Sequence, residues 1–197
     1  MQALIHYLQS SGIELLGVIT GLVTLFLLVL ENPWNWPIGI ANNVLYVVIF
    51  FQNRFYADMT LQVAYIVISA IGWYLWLHGG ENHGVLRVRR MPVPALVGTL
   101  FAGAVVTYLW SILLVRINDV APLFDAATAI FSIVAQYMMA RKFIENWILW
   151  IAIDVVSVWL YGTKHLVPTA GLYAIYIGFC VAGLIAWQRS LLRRSYA

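Results

Sequence analysis

Asp154 stands in the middle of an otherwise apolar run, with Ser157 and Tyr161 following at steps of 3 and 4. In another run Asp125, Thr128, Ser132 and Gln136 fall at steps of 3, 4 and 4, and in a third Asp58, Gln62, Tyr65, Ser69, Trp73 and Trp76 fall at steps of 4, 3, 4, 4 and 3. Such steps put side chains on one face of a helix. Asn42 and Asn43 interrupt a fourth run, and Thr169, Tyr173 and Tyr176 share one face of a fifth. Carboxylates, amides and hydroxyls can bind the polar groups of a small ligand, aromatic faces can stack on a planar cation, and the three aspartates could relay protons instead. No nucleophile sits beside a base, and His6, His78, His83 and His165 show no metal-ligand spacing. The polar stripes therefore read as a binding path, with an intramembrane acid-base enzyme or a non-transporting scaffold or receptor as rivals, and no metal or cofactor is expected.

The elements that position these residues follow from composition. The chain has 197 residues, of which 63% are hydrophobic and 10% charged, and a mean hydropathy of +0.87. A water-soluble domain is usually about 25% charged, so the chain reads as an all-α integral membrane protein. A spanning helix needs roughly 20 mostly apolar residues, and seven such runs are present, at about 13–30, 35–52, 58–77, 95–115, 121–140, 146–163 and 169–188. Continuous runs favour helices over the alternating strands of a barrel. Met1 to Gly12 lacks a basic region, so the first run reads as a retained helix and not as a cleaved signal. The single cysteine, Cys180, cannot form an intrachain disulfide and reads as small apolar packing.

Charge placement sets the orientation. Loops taken alternately put Arg54, Arg116 and Lys164 on one side, and Arg87, Arg89, Arg90, Arg141, Lys142, Arg189, Arg193 and Arg194 on the other. By the positive-inside rule the N-terminus is outside and the C-terminus cytoplasmic. The basic clusters then need no nucleic-acid partner, and Arg141, Lys142 and Glu145 read as ordinary flanking charges. Trp34, Trp36, Trp73, Trp76, Trp147, Trp150 and Trp187 fall near the same cytoplasmic boundary and read as an aromatic belt, with Trp73 and Trp76 also placed to cover a planar ligand. Asp58 is placed to cap its own helix. Gly17 with Gly21, Gly98 with Ala102 and Gly103, and Ala174 with Gly178 and Ala182 read as small-residue packing faces.

A weak internal repeat divides the chain. A shift of 114 aligns Glu31 with Glu145, Asn32 with Asn146 and Trp36 with Trp150, whereas a shift of 111 aligns Leu61 with Leu172, Tyr65 with Tyr176, Gly72 with Gly183 and Trp76 with Trp187. The second copy is thus expected to have a turn three residues shorter. The expected architecture is 3+1+3: two parallel three-helix repeats, 1–78 and 119–197, joined across 79–118 by a cytoplasmic loop and a linker helix. In transporters built from parallel repeats the substrate site lies near the midplane between the halves.

WPIGI at Trp36 to Ile40, FYADMTLQVAY at Phe55 to Tyr65, GWYLW at Gly72 to Trp76, DAATAIFSIVAQYMMARKFIENWILW from Asp125 to Trp150, and Asp154 through LYGTK to LVPTAGLY together resemble the PnuC vitamin transporters over nearly the whole chain. Phe55-Tyr56 replaces the family's usual Leu-Tyr, and Ala70-Ile71 stands where Tyr often precedes Gly-Trp. The resemblance implies a SWEET-like fold and facilitated uptake of nicotinamide riboside across the bacterial inner membrane, with no ATP-driven module. It also implies trapping by a cytoplasmic riboside kinase and a homo-oligomer, a homotrimer. Thiamine, riboflavin and a proton-coupled version are the alternatives. The residues expected to bind substrate are Asn42, Asn43, Gln62, Tyr65, Trp73, Ser132, Gln136, Asp154, Ser157, Tyr173 and Tyr176. Asp58, Trp76, Asp125 and Thr128 are expected to line the path or its gates.

Overall fold

The computed structural model describes residues 2–116, 121–163 and 167–195, and side chains from residue 15 on apart from those at 57, 168, 194 and 195. Lys164 and His165 lie outside the described residues, as does the His6 side chain. Apolar runs bounded by short polar turns form seven helices: α1 (Gln2–Val29), α2 (Asn35–Gln52), α3 (Tyr56–His78), α4 (Val93–Arg116), α5 (Pro122–Ala140), α6 (Asn146–Thr163) and α7 (Val167–Ser195). Five of the described helices, α3 to α7, are long and apolar enough to cross a membrane, and Leu15–Val29 of α1 adds a shorter apolar stretch. Asn35, Asn42, Asn43 and Gln52 lower the hydropathy of α2. It nevertheless has the 18 residues of α6, a length of about 27 Å at 1.5 Å per residue.

Six helices close a ring in the order α1, α2, α3, α5, α6, α7 and back to α1, while α4 packs on α5 outside it. The first repeat (α1–α3) and the second (α5–α7) therefore meet along two seams, α3 against α5 and α7 against α1.

The repeat has one register throughout. Leu28, Glu31, Asn35, Trp36, Gly72 and Trp76 correspond to Met139, Lys142, Asn146, Trp147, Gly183 and Trp187, each 111 residues on. The turns prove it. The amides of Glu31 and Asn32 donate to Leu28 and Leu27, and those of Lys142 and Phe143 donate to Met139 and Met138. Glu31 (φ 55°) and Lys142 (φ 54°) are both left-handed, so each helix end is a Schellman motif. The Asn35 and Asn146 amides likewise donate to the carbonyls of Asn32 and Phe143, both at 2.6 Å. The 114-residue alignment and the shortened turn are therefore corrected: the Glu-Asn identity at 31–32 and 145–146 is coincidental, and backbone geometry pairs Glu31 with Lys142.

The tryptophans also differ from expectation. Trp36, Trp76, Trp147 and Trp187 are at most 2% exposed and form a core, whereas Trp34 and Trp73 are exposed. Trp36 meets Trp76 edge to face at 5.3 Å, Trp147 meets Trp187 in the same way at 5.3 Å, and Trp76 and Trp187 lie 5.8 Å apart. Gly72 and Gly183 make room for this. A β-carbon at Gly72 would stand 2.6 Å from the Trp36 ring, and one at Gly183 would overlap Trp147. Each central indole then reaches across a seam: Trp76 Nε1 donates to Met139 O at 3.2 Å, and Trp187 Nε1 donates to Leu28 O at 3.1 Å. The buried N–H groups of Trp76 and Trp187 thus have acceptors, as buried indoles usually do, whereas Trp36 Nε1 and Trp147 Nε1 have none among the described residues.

The segment between α3 and α4 straps this end of the bundle. Leu86 N donates to Trp76 O, Arg89 N to Lys142 O, and Ile144 N to Arg89 O. Glu145 Oε2 accepts from Met91 N at 3.0 Å, and Leu86, Val88 and Met91 are buried. Among the small-residue faces, Gly17 packs on Tyr46 and Gly103 on Phe131. Ala174, Gly178 and Ala182 are exposed, because α7 turns the face of Tyr173, Tyr176, Cys180 and Gly183 inward.

Candidate functional site

Halfway along α6, Asp154 is 4% exposed. Its one hydrogen bond among the described residues comes from the Cys180 thiol of α7, at 3.6 Å to Oδ2. A carboxylate offers about four acceptor positions, so a weak sulfur donor leaves most of that capacity for another partner. Cys180 is thus more than apolar packing. Tyr173 and Tyr176, one helical turn apart on α7, both neighbour Asp154, and Tyr46 of α2 neighbours Tyr176. Tyr161 of α6 stacks on Tyr173 at 5.4 Å with ring planes 9° apart, and Tyr173 meets Tyr176 edge to face at 5.8 Å. The second repeat therefore presents a buried carboxylate beside a wall of aromatic rings.

The first repeat faces it across the α3/α5 seam. Gln136 Nε2 donates to Ser69 Oγ at 3.3 Å, and Tyr65 stands against Ser132. Gln136, Ser132, Tyr65 and Ser69 thus form a polar contact between the repeats at mid-depth. Repeat equivalence gives these groups a pattern. Asn43 holds in α2 the place that Asp154 holds in α6, Ser69 that of Cys180, Tyr65 that of Tyr176 and Gln62 that of Tyr173.

The adjacent asparagines separate in role. Asn42 Nδ2 donates to Gly17 O at 2.6 Å and to Thr20 Oγ1 at 2.8 Å, which clamps α2 to α1. Asn43 makes no such bond among the described residues and, as the mate of Asp154, takes the position toward α3. Ser157 donates to Ile153 O, and Thr128 to Phe124 O and Asp125 O, so both hydroxyls bond their own helices. Asp125 lies in the first turn of α5 and Asp58 in the first turn of α3, away from Asp154 and toward the end opposite the tryptophans. Asp58 is exposed; the cap position of α3 belongs to Phe55, which makes no side-chain bond, and the Asp58 carboxylate instead accepts its own backbone N–H from within the first turn. Trp73 is on the polar face of α3 but exposed. Trp76 is fully buried among Trp36, Trp187 and Lys142.

Two participants were missed from sequence. Tyr46 lies one turn beyond Asn42 and Asn43, which was the available signal. Lys142, read as a flanking charge, is 2% exposed; its signal would have been the 111-residue register that pairs it with Glu31.

A family model described as "Nicotinamide mononucleotide transporter" matches residues 11–189. The chain belongs to this family. It is a multi-pass membrane transporter: five of its described helices are long and apolar enough to span, and its relatives are transporters by name. The Escherichia coli nicotinamide riboside transporter PnuC is 30% identical over 91% of this chain and 84% of its own length. The nicotinamide riboside transporter PnuC of Neisseria mucosa is 22% identical over 94% and 75% of the two chains, and the riboflavin/roseoflavin transporter RibM of Streptomyces davaonensis is 28% identical over 88% and 83%. The crystal structure of the vitamin B3 transporter PnuC superposes with a TM-score of 0.75 at 21% identity, covering 98% of this chain and 87% of the other, so the two share the fold.

Proposed function

We propose that this transporter carries nicotinamide riboside by facilitated diffusion. The observation that carries the proposal is Asp154, a carboxylate buried at mid-helix beside tyrosine rings and partnered by one thiol. Burying an isolated charge is costly, and a planar cation offsets that cost. The riboside's pyridinium is such a cation. It stacks on Tyr173 and Tyr176, its charge faces Asp154, and its carboxamide and ribose pair with Asn43, Gln62, Tyr65, Ser132, Gln136 and Ser157. Thr128, Asp125 and Asp58 line the approach from the end opposite the tryptophans. Asn42 supports the site through α1 and does not bind ligand.

Alternating access then rocks one three-helix repeat against the other about this site. The residue distribution supports an orientation with the N-terminus outside and the basic, tryptophan-rich end in the cytoplasm of a bacterial inner membrane. Net accumulation follows from phosphorylation of the riboside by a cytoplasmic kinase, and the functional unit is a homo-oligomer, a homotrimer.

Likeness to RibM favours one second reading, riboflavin. That ligand is neutral and leaves Asp154 without a countercharge. Calorimetric titration of the purified protein with nicotinamide riboside, thiamine, riboflavin and nicotinamide mononucleotide separates the readings. Selective binding of the riboside supports the proposal, binding of riboflavin or thiamine moves the substrate, and binding of none removes it.

A further inference from the structure

The end of the bundle that carries the tryptophans is shut by contacts made between the repeats. Glu31 lies on the turn from α1 to α2 and Lys142 on the turn from α5 to α6, and Lys142 Nζ stands 3.0 Å from Glu31 Oε2. The two residues are repeat mates, so a contact between them straddles the pseudo-twofold axis. Perfect symmetry would put identical side chains there, and two like charges would repel. The chain has opposite charges instead. Nζ also lies 4.3 Å from the centre of the Trp76 ring, a cation-π contact, and the two side chains are 3% and 19% exposed.

The backbone adds an independent observation. Both residues occupy the left-handed position that ends a Schellman motif, with φ of 55° and 54°, where glycine is the usual occupant. Side chains at such positions cost backbone energy. Here both side chains go into the same ion pair. Directly inside it, Trp76 and Trp187 meet on the axis, each N–H on a carbonyl of the other repeat.

We propose that the Lys142–Glu31 pair is the latch of the gate at this end of the path, and that this structure is the state in which the gate is shut. The inference rests on the alternating-access reading. Among the described residues its contacts include the ion pair, the cation-π contact and the two indole hydrogen bonds, which break and re-form as units when α1 parts from α7 and α3 from α5. The strap at Leu86 and Arg89 joins Trp76 O to the turn at Lys142 and tethers the two halves of the gate.

The single native cysteine provides the readout. Cys180 is 4% exposed and faces Asp154 at the centre, so its reaction with a membrane-impermeant thiol reagent reports opening. The reagent is applied to vesicles of each orientation, with Cys180→Ser as the blank. Lys142→Gly removes the latch while relieving the left-handed backbone, so loss of fold does not confound it, and a thermal melt checks this. Labelling from the latch side is expected to rise about tenfold or more, as loss of a buried ion pair shifts a two-state equilibrium by at least a decade. Labelling from the other side should fall or stay unchanged. Glu31→Gln should act similarly, and the exchange of Glu31→Lys with Lys142→Glu should bring the rate back toward wild type. A wild-type labelling rate in folded Lys142→Gly, or an exchange variant no better than the single changes, overturns the latch. Absence of riboside flux in the wild-type protein, with latch-dependent labelling intact, would instead overturn the substrate proposal alone.

Discussion

Asp154→Asn isolates charge from shape. Asparagine keeps the volume of the side chain and an oxygen for the Cys180 thiol, now 3.6 Å from Oδ2, so packing between α6 and α7 is preserved. What goes is the negative charge. A pyridinium stacked on Tyr173 or Tyr176 brings its charge to within about 5 Å of the carboxylate, and at an effective dielectric of about 20 the attraction is about 3 kcal/mol. That corresponds to roughly two decades in Kd. The assay is calorimetry with two ligands of nearly one shape, nicotinamide riboside and its dihydro form, which has no ring charge. The riboside should bind about a hundredfold more weakly to Asp154→Asn than to wild type, and the dihydro form should bind the two proteins within a few-fold. Equal loss for both ligands, or none for either, refutes the argument that Asp154 recognises charge.

Other consequences concern the scaffold and the path. Gly183→Ala drives a methyl group into the Trp147 ring and should lower stability by about 1–3 kcal/mol, seen as a reduced melting temperature in detergent, with Gly72→Ala acting alike through Trp36. Asn42→Ala removes the bonds to Gly17 and Thr20 and should cost about 0.6–1.7 kcal/mol of stability while leaving riboside Kd unchanged. Asn43→Ala should do the reverse, weakening binding with little change in melting. Gln136→Ala breaks the bond to Ser69 across the α3/α5 seam and should slow uptake at unchanged expression, read as initial rates in vesicles.

The seven helices were legible because hydropathy follows directly from residue type, and the 3+1+3 division because Gly72/Gly183 and Trp76/Trp187 recur. Asp154 stood out because a carboxylate in the middle of an apolar run has few purposes. The tryptophans misled, since a ring near a helix end suits an interface as well as a core. Deciding between them needed the glycine faces at 72 and 183, which matter only once helices pack. Lys142 misled for a related reason: beside Arg141 it looks like one more orienting charge, and only the left-handed turn, invisible in residue type, points it at Glu31. The Glu-Asn identity then hid the true register by offering a better match three residues away. Asn42 and Asn43 could not be ranked from sequence because both are amides, and their difference is a matter of which neighbouring helix each one meets.

Flux of labelled nicotinamide riboside into liposomes holding only the purified protein tests the central claim most directly. The account predicts that, with the membrane potential clamped at zero, entry is saturable and stops when inside and outside concentrations are equal, at the same initial rate with or without an imposed pH gradient. Accumulation above the outside concentration that depends on the gradient, or no entry by a protein that still binds the riboside, would contradict it.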